Sequence, residues 1–347
     1  MPHNELRKDY LLNRWVVIAT ERSRRPTDLA KPRPENPKTA NCPLCVGNEH
    51  MTPPAVLLIQ KVNGKIKRSQ DPQSGARPQN WLVRTIPNLY PAFTQPASSQ
   101  NLEQVFSAEN LGCAVGYHEV VVESPNHDED PADAELAQLE LVIGAYIYRY
   151  RELTGKPYVK YVSIFRNYGL EAGASLSHAH SQIIATPIVP PTVQAELDSS
   201  KTYQLKHGRC AFCDIIERES KGPRLILENR DFVVFAPYAS INPMEFWIAP
   251  KKHAANFANL TKAKQASLAK TLKASLSALK TVVNDPPYNY GFHLSHNPLD
   301  SDSYHWHLEV YPKLATWAGF EKNTGIYINT VPPEKAAESL KKALQGN

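Results

Sequence analysis

The sequence predicts an α+β protein made of two tandem copies of one unit, each an antiparallel sheet with a long helix. Three observations lead there. A Cys-x-x-Cys pair occurs twice, at Cys42/Cys45 and Cys210/Cys213. A His-x-His motif followed by apolar residues also occurs twice, at His178-Ala-His180 and His305-Trp-His307. In each copy a further histidine stands ahead of a long helical stretch, His127 preceding His178 by 51 positions and His253 preceding His305 by 52. Matched order with matched spacing argues for internal duplication. The division falls between residues 1–195 and 196–347.

Taken in order, residues 9–20 predict a strand pair around a turn at Asn13. A basic loop (21–26) and a polar, Pro-rich surface excursion (27–40) follow, and then Cys42-Pro-Leu-Cys45 makes a tight knuckle. Strands are expected at 55–61, 81–86 and 119–123, and residues 94–110 read as a loop. Residues 131–154 predict a helix, with Asp130 as cap, Pro131 in the first turn, and Leu136, Leu139, Ile143 and Tyr146 at helical spacing. A strand at 158–165 leads into a Gly/Ser/Asn-rich loop, Phe165 to Ser175, and then the first His strand. Alternation puts His178, His180 and Gln182 on one face of that strand. Residues 188–208 read as a connector. The second copy predicts a helix from Cys210 to about 220, strands at 223–228, 231–236 and 244–249, a helix at 261–283, strands at 288–295 and 304–311, and a terminal helix at 332–344.

Composition narrows the function. A chain of 347 residues with 42% hydrophobic and 21% charged residues is that of a soluble globular protein, usually of two domains. The net charge of +5 suits small acidic substrates. No Lys/Arg run carries interleaved aromatics, so nucleic acid is not an expected partner. The first residues lack a signal peptide's apolar core and no apolar run approaches 18 residues, so a cytoplasmic protein without a membrane span is expected. The 29 prolines favour ordered loops and short strands over a helical bundle. Of five cysteines, four form the two Cys-x-x-Cys pairs, which without a secretory signal favour metal over disulfide, and Cys113 reads as a small buried apolar residue.

Two thiolates and two imidazoles close a tetrahedral zinc site. The expected sets are Cys42, Cys45, His127, His178 and Cys210, Cys213, His253, His305, with His293 or His307 as alternatives to His305. Two zinc ions per chain follow. His178 then goes to metal and His180 stays free, behind a loop whose backbone N–H groups and hydroxyls could hold a phosphate. A free imidazole in that place is a nucleophile candidate.

These residues resemble the galactose-1-phosphate uridylyltransferase family, the transferase branch of the histidine-triad superfamily. Transferases of that superfamily end their motif in His-x-His-x-Gln, as His178-Ala-His180-Ser-Gln182 does. The Phe-x-Asn-x-Gly loop is matched by Phe165, Asn167 and Gly169, and Gly-x-Ser by Gly173 and Ser175. The Arg-x-x-Arg-Pro loop is matched by Arg22, Arg25 and Pro26. A nucleoside-binding strand end is matched by Asn88 and Tyr90, and a sugar-binding segment by Gly319, Phe320 and Glu321. The resemblance implies two histidine-triad-like domains and a homodimer. It implies transfer of a nucleoside monophosphate, UMP first, from a nucleoside diphosphate sugar to a hexose 1-phosphate through a nucleotidyl-His180, as in galactose metabolism. Gln182 and Ser175 would serve the phosphoryl oxygens. An amide donates a hydrogen bond but cannot deliver a proton, which suits a sugar phosphate leaving group.

Ala179 and Ser181 depart from the usual His-Pro-His-Gly, and the second Cys-x-x-Cys stands where some uridylyltransferases use one Glu and three His. In these respects, and in Asn284–Tyr290, the chain is similar to a plant-type ADP-glucose phosphorylase, which implies inorganic phosphate as an alternative acceptor. A zinc-stabilised nucleotide-binding module without catalysis is the reading from another class, and a free His180 beside Gln182 speaks against it.

Overall fold

The computed structural model describes residues 4–19, 41–95 and 114–346. Arg22, Arg25 and Cys113 lie outside the described residues. The first half contributes β3 (Leu57–Val62), β4 (Lys65–Ser69), β5 (Trp81–Pro87), β6 (Tyr117–Val122), β7 (Tyr161–Tyr168) and β8 (His180–Thr186). The second contributes β9 (Leu225–Glu228), β10 (Phe232–Phe235), β11 (Phe246–Pro250), β12 (Tyr288–His293) and β13 (His307–Pro312). All eleven join one sheet in the order β4-β3-β5-β6-β8-β7-β12-β13-β11-β10-β9. Every neighbouring pair in it is antiparallel. The halves meet where β7 pairs with β12, Asn167 opposite Asn289 and Arg166 opposite Tyr290. Outward from this seam, β8-β6-β5 on one side is matched by β13-β11-β10 on the other. A separate three-stranded sheet joins β1 (Glu5–Lys8), β2 (Trp15–Ile18) and β14 (Tyr327–Asn329).

The core lies on one face of the large sheet. Leu139, Ile143 and Tyr146 of α1 (Leu136–Thr154) and Leu272 and Leu279 of α4 (Lys262–Val283) pack with Val121, Ile164, Ile183, Phe292 and Leu308. Odd positions of β8 therefore face the helices. Even positions, His180 and Gln182, face the other side, by the period of two that a strand imposes. That second face carries a smaller cluster of Cys42, Leu44, Leu58, Ile86 and Val122. Among the described residues no helix is long and apolar enough to cross a membrane.

Several elements differ from the sequence expectation. The strand pair lies at 5–8 and 15–18, because the Asp9 carboxylate accepts the N–H groups of Leu11 and Leu12 and pairs with Arg14, making 9–14 the loop. The helix expected from 131 begins at 136: the Asp130 carbonyl takes the N–H groups of Asp133 and Ala134 in a turn, and its carboxylate goes to Arg166 instead of capping. The connector 188–208 is largely a helix, α2 (Pro191–His207), with Pro191 in its first turn and Gly208 in the left-handed region after it. Its buried residues are only Val193, Glu196 and Ser200, too few for an apolar stripe. The short edge strand β4 (Lys-Ile-Lys-Arg-Ser) is exposed throughout and has no apolar alternation to announce it. His178 and His305 precede their strands, which begin at His180 and His307.

Gly169 and Gly173 bracket the loop before His178, at φ 82°, ψ 155° and φ 87°, ψ 16°. The first conformation is one that only glycine visits readily. A Cβ at Gly169 would also stand 2.8 Å from Pro287 Cβ, whereas one at Gly173 would meet Asn167 Nδ2 at 3.7 Å. Gly169→Ala is expected to lose about 1–3 kcal/mol of unfolding free energy, and Gly173→Ala less. Denaturant titration of the two variants checks this, and the opposite order would contradict the seam packing described.

Candidate active site and metal centres

His180 is buried, and its Nδ1 lies 2.8 Å from the His178 carbonyl oxygen. A carbonyl only accepts, so Nδ1 carries the proton and Nε2 presents a lone pair. Burial, and then the Arg166 guanidinium, hold this imidazole below its ordinary range, which keeps it neutral near pH 7. Arg166 is itself buried behind the site. Its Nη1 pairs with Glu123 and donates to the His180 carbonyl at 3.2 Å, and its Nη2 pairs with Asp130 at 2.7 Å. Glu123 also accepts from the Tyr146 hydroxyl at 2.7 Å, and that hydroxyl contacts Ser181 Oγ at 2.8 Å and Tyr290 at 2.9 Å. The start of the strand that carries His180 is thus held by a charged network of Arg166, Glu123 and Asp130.

Gln182 stands two residues on, with Oε1 2.7 Å from His118 Nε2. Asn88 Nδ2 lies 3.1 Å from the same nitrogen, at the mouth of a cleft also lined by Pro91, Phe93 and Tyr117. Tyr90 is 85% exposed beyond it. Gly173 and Ser175 are exposed in the loop that leads to His178. Asn167 anchors that loop: Asn289 Nδ2 donates to Asn167 Oδ1 at 2.8 Å and to the Ala172 carbonyl at 2.7 Å. Gly319, Phe320 and Glu321 open the short helix α5 (Gly319–Thr324), which adjoins β14 of the small sheet. Glu321 accepts the Ala318 N–H at 3.0 Å. Within one chain the structure does not bring this segment to His180.

Both Cys/His sets come together, each with its ligand atoms within 4.8 Å of one another. A tetrahedral zinc ion at ordinary bond lengths sets its sulfur and nitrogen ligands about 3.6 Å apart. Cys42 and Cys45 Sγ lie 3.7 and 3.5 Å from His178 Nδ1, and Cys45 Sγ lies 3.3 Å from His127 Nδ1. Cys213 Sγ lies 3.4 Å from His253 Nδ1 and 3.6 Å from His305 Nδ1. In all four rings Nε2 is engaged elsewhere: with the Ser124 carbonyl at 2.8 Å, Ser177 Oγ at 2.9 Å, the Ser301 carbonyl at 2.7 Å and the Pro250 carbonyl at 2.8 Å. The three carbonyl contacts leave the Nδ1 lone pairs of His178, His253 and His305 for a metal, and the Ser177 hydroxyl can accept from His127 Nε2 in the same sense, the usual outer-sphere arrangement. The donor sets fit zinc.

The structure places His293 and His307 elsewhere, with Glu196 and Glu309, in a third group that could hold a metal ion. Glu196 went unrecognised because α2 was not legible as a helix. Glu309 and His293 could have been found from period two along β13 and the pairing of His293 with His307. This group is the second half's counterpart of His180 and Gln182: His307 Nδ1 lies 3.2 Å from the His305 carbonyl, as His180 does from that of His178. Here, however, Trp247 stacks on the His307 ring at 4.8 Å and Phe212 lies at 4.8 Å, so the histidine is covered.

Cys45→Ser and Cys213→Ser should each remove one bound divalent ion per chain in elemental analysis and lower the melting temperature. Unchanged metal content would exclude the corresponding set. Arg166→Met should destabilise by about 3–5 kcal/mol, the loss typical of breaking a buried pair from one side, measured by chemical denaturation. A loss below about 1 kcal/mol, the worth of an exposed pair, would mean the network is solvated.

Residues 83–190 match the family model described as galactose-1-phosphate uridyl transferase, N-terminal domain, and residues 138–347 match a domain of unknown function, DUF4921. The chain is 36% identical to ADP-glucose phosphorylase of Arabidopsis thaliana over 97% of its own length and 92% of that protein's. It is 27% identical to galactose-1-phosphate uridylyltransferase of Thermotoga maritima over 97% and 98%. The crystal structure of the Arabidopsis thaliana ADP-glucose phosphorylase with bound ADP-glucose superposes with a TM-score of 0.79 at 34% identity, covering 98% of this chain and 99% of that one. A uridylyltransferase structure gives 0.73 at 31% identity, covering 99% of each. With a neutral, buried imidazole and a glutamine on one strand face, in a fold shared over its whole length, the chain belongs to the galactose-1-phosphate uridylyltransferase family, nucleotidyltransferases among which ADP-glucose phosphorylase also counts.

Proposed function

We propose that this protein is a nucleoside diphosphate glucose phosphorylase, with ADP-glucose as donor and inorganic phosphate as acceptor. The observation that carries this reading is the 36% identity with the Arabidopsis thaliana phosphorylase over nearly the whole chain; the geometry of His180, a tautomer fixed by the His178 carbonyl, supports its covalent step. His180 Nε2 attacks the α-phosphorus. A P–N bond forms, the bridging P–O bond breaks, and glucose 1-phosphate leaves as its anion. The nucleotidylated ring is cationic, and its Nδ1–H points at the His178 carbonyl, which stabilises that charge. A phosphate oxygen then attacks phosphorus, the P–N bond breaks, ADP leaves and the imidazole returns neutral. Gln182 donates to a non-bridging oxygen. It need deliver no proton, because both leaving groups depart without one. Arg22 and Arg25 add fork-shaped donors for the phosphates, and Ser175 and the Gly173 backbone add two more. Zinc in the Cys42/Cys45/His127/His178 set would hold the chain entering β8 and supply structural rigidity alone.

Transfer to a hexose 1-phosphate, with UDP-glucose as donor, is the second reading. The match of residues 83–190 to the uridyl transferase model favours it. In that reading Gly319, Phe320 and Glu321 hold the sugar, supplied by the second chain of a homodimer.

ADP-glucose labelled in the α-phosphate should leave label on the wild type, stable to base and labile to acid, and none on His180→Ala. Discharge of the loaded protein by phosphate should outpace discharge by galactose 1-phosphate. Faster discharge by the sugar phosphate, or loading from UDP-glucose alone, would give the second reading instead.

A further inference from the structure

Gln182 can help only if its amide presents nitrogen, not oxygen, to the phosphoryl group, and the two ends have nearly the same shape. We propose that His118 sets that polarity and is a positioning residue for the reaction proposed above, on which this inference rests. His118 projects from β6 on the face shared with Gln182, and Val120, two residues on, pairs with Gln182. The Ala92 backbone N–H lies 3.0 Å from His118 Nδ1. A backbone N–H only donates, so Nδ1 is the bare nitrogen and the proton of the neutral ring sits on Nε2. That N–H points at Gln182 at 2.7 Å. It requires an oxygen there, and the amide NH2 is the end left over for the phosphoryl oxygen.

The opposite arrangement fails at the far end of the ring. With Gln182 reversed, its NH2 would need a bare Nε2. The proton would then move to Nδ1 and oppose the Ala92 N–H. Asn88 Nδ2, 3.1 Å from Nε2, cannot donate to it while the proton is there, and Asn88 Oδ1 is held by the Tyr90 N–H at 2.9 Å. A chain from the Ala92 backbone through one imidazole to one amide therefore fixes which atom of Gln182 meets the substrate. His118 touches no reacting atom in this scheme.

The tests separate this role from a structural one. Nitrogen NMR of the imidazoles in the resting protein should show His118 with Nε2 protonated, and the other tautomer would overturn the proposal whatever the activity. In single-turnover loading from ADP-glucose, His118→Ala should slow nucleotidylation of His180 about tenfold, the scale of one hydrogen bond to a developing charge, with donor affinity within about twofold. In a Gln182→Ala background the same substitution should cost nothing further. His118→Gln, whose amide can accept from Ala92 and donate to Gln182 in the same sense, should restore most of the rate. Equal losses with and without Gln182, or weakened donor binding at an unchanged rate, would mean that His118 acts on the nucleotide or the fold directly. A wild type that takes no label from ADP-glucose or UDP-glucose would sink the proposed function, and the tautomer measurement would still decide the orientation of Gln182.

Discussion

A single buried cation, Arg166, holds the reactive strand in place. It rises from β7, one residue before Asn167, and reaches three separate segments: Glu123 after β6, Asp130 before α1, and the carbonyl of His180 at the start of β8. A guanidinium without partners in such surroundings would cost several kcal/mol, so the arrangement persists only if all three segments arrive together. Burying the charge makes the loop, the strand start and the helix entry one cooperative unit. It also explains why Asp130 is not a helix cap. Its carboxylate is needed inside, and the helix begins five residues later than local preference would have it.

The duplication shows which features of that unit matter for chemistry. Both halves orient the second His of their His-x-His through the carbonyl two residues back, and both gather two thiols and two imidazoles ahead of the strand. They part on the open face of the sheet. The first half puts Gln182, His118 and Asn88 beside its histidine. The second puts Glu309 and Glu196 there, and Glu245, immediately before β11, two residues ahead of the Trp247 that pairs with Glu309, as His118 stands two ahead of the Val120 that pairs with Gln182. Burial, and then Glu309, push Glu245 up to about 8. Carboxylates and a stacked Trp247 leave no place for a phosphate near His307. The two copies of one fold unit thus differ in the charge they place on that face.

Much of this was legible in the sequence, because the signals were local or repeated. The long helix α4 starts at its Thr261 cap and ends at Asn284 as periodicity expects, and the Cys/His sets were specified by duplicated spacing. What escaped depends on contacts that no local pattern carries. Helix α2 buries too few apolar residues to look amphipathic, so Glu196 stayed hidden with it. His118 lies in an ordinary-looking strand, and its meaning comes from a backbone N–H 26 residues away and a side chain 64 away. The choice among His293, His305 and His307 needed the register of β12 against β13, which puts His293 beside His307 and leaves His305 outside the strand.

The chemistry at His180 does not itself choose an acceptor. In the proposed reaction, nucleophile, carbonyl and amide would act on the α-phosphorus and its non-bridging oxygens, which are the same whether glucose 1-phosphate, another sugar phosphate or inorganic phosphate stands on the far side. An amide in place of an acid makes the forward and reverse steps equivalent, since no proton is owed to either leaving group. Selectivity must then reside in groups that meet the rest of the acceptor. A hexose offers hydroxyls that a carboxylate can hold in register, and a phosphate offers only charge. In this chain Glu321 lies in α5, which adjoins the small sheet, and its carboxylate caps its own helix. On the open face of the sheet, the chain itself carries Gln182, His118 and Asn88 near His180. In the proposed reaction a small anion would need no more than such groups, whereas a sugar phosphate acceptor would also call for a surface that holds its hydroxyls.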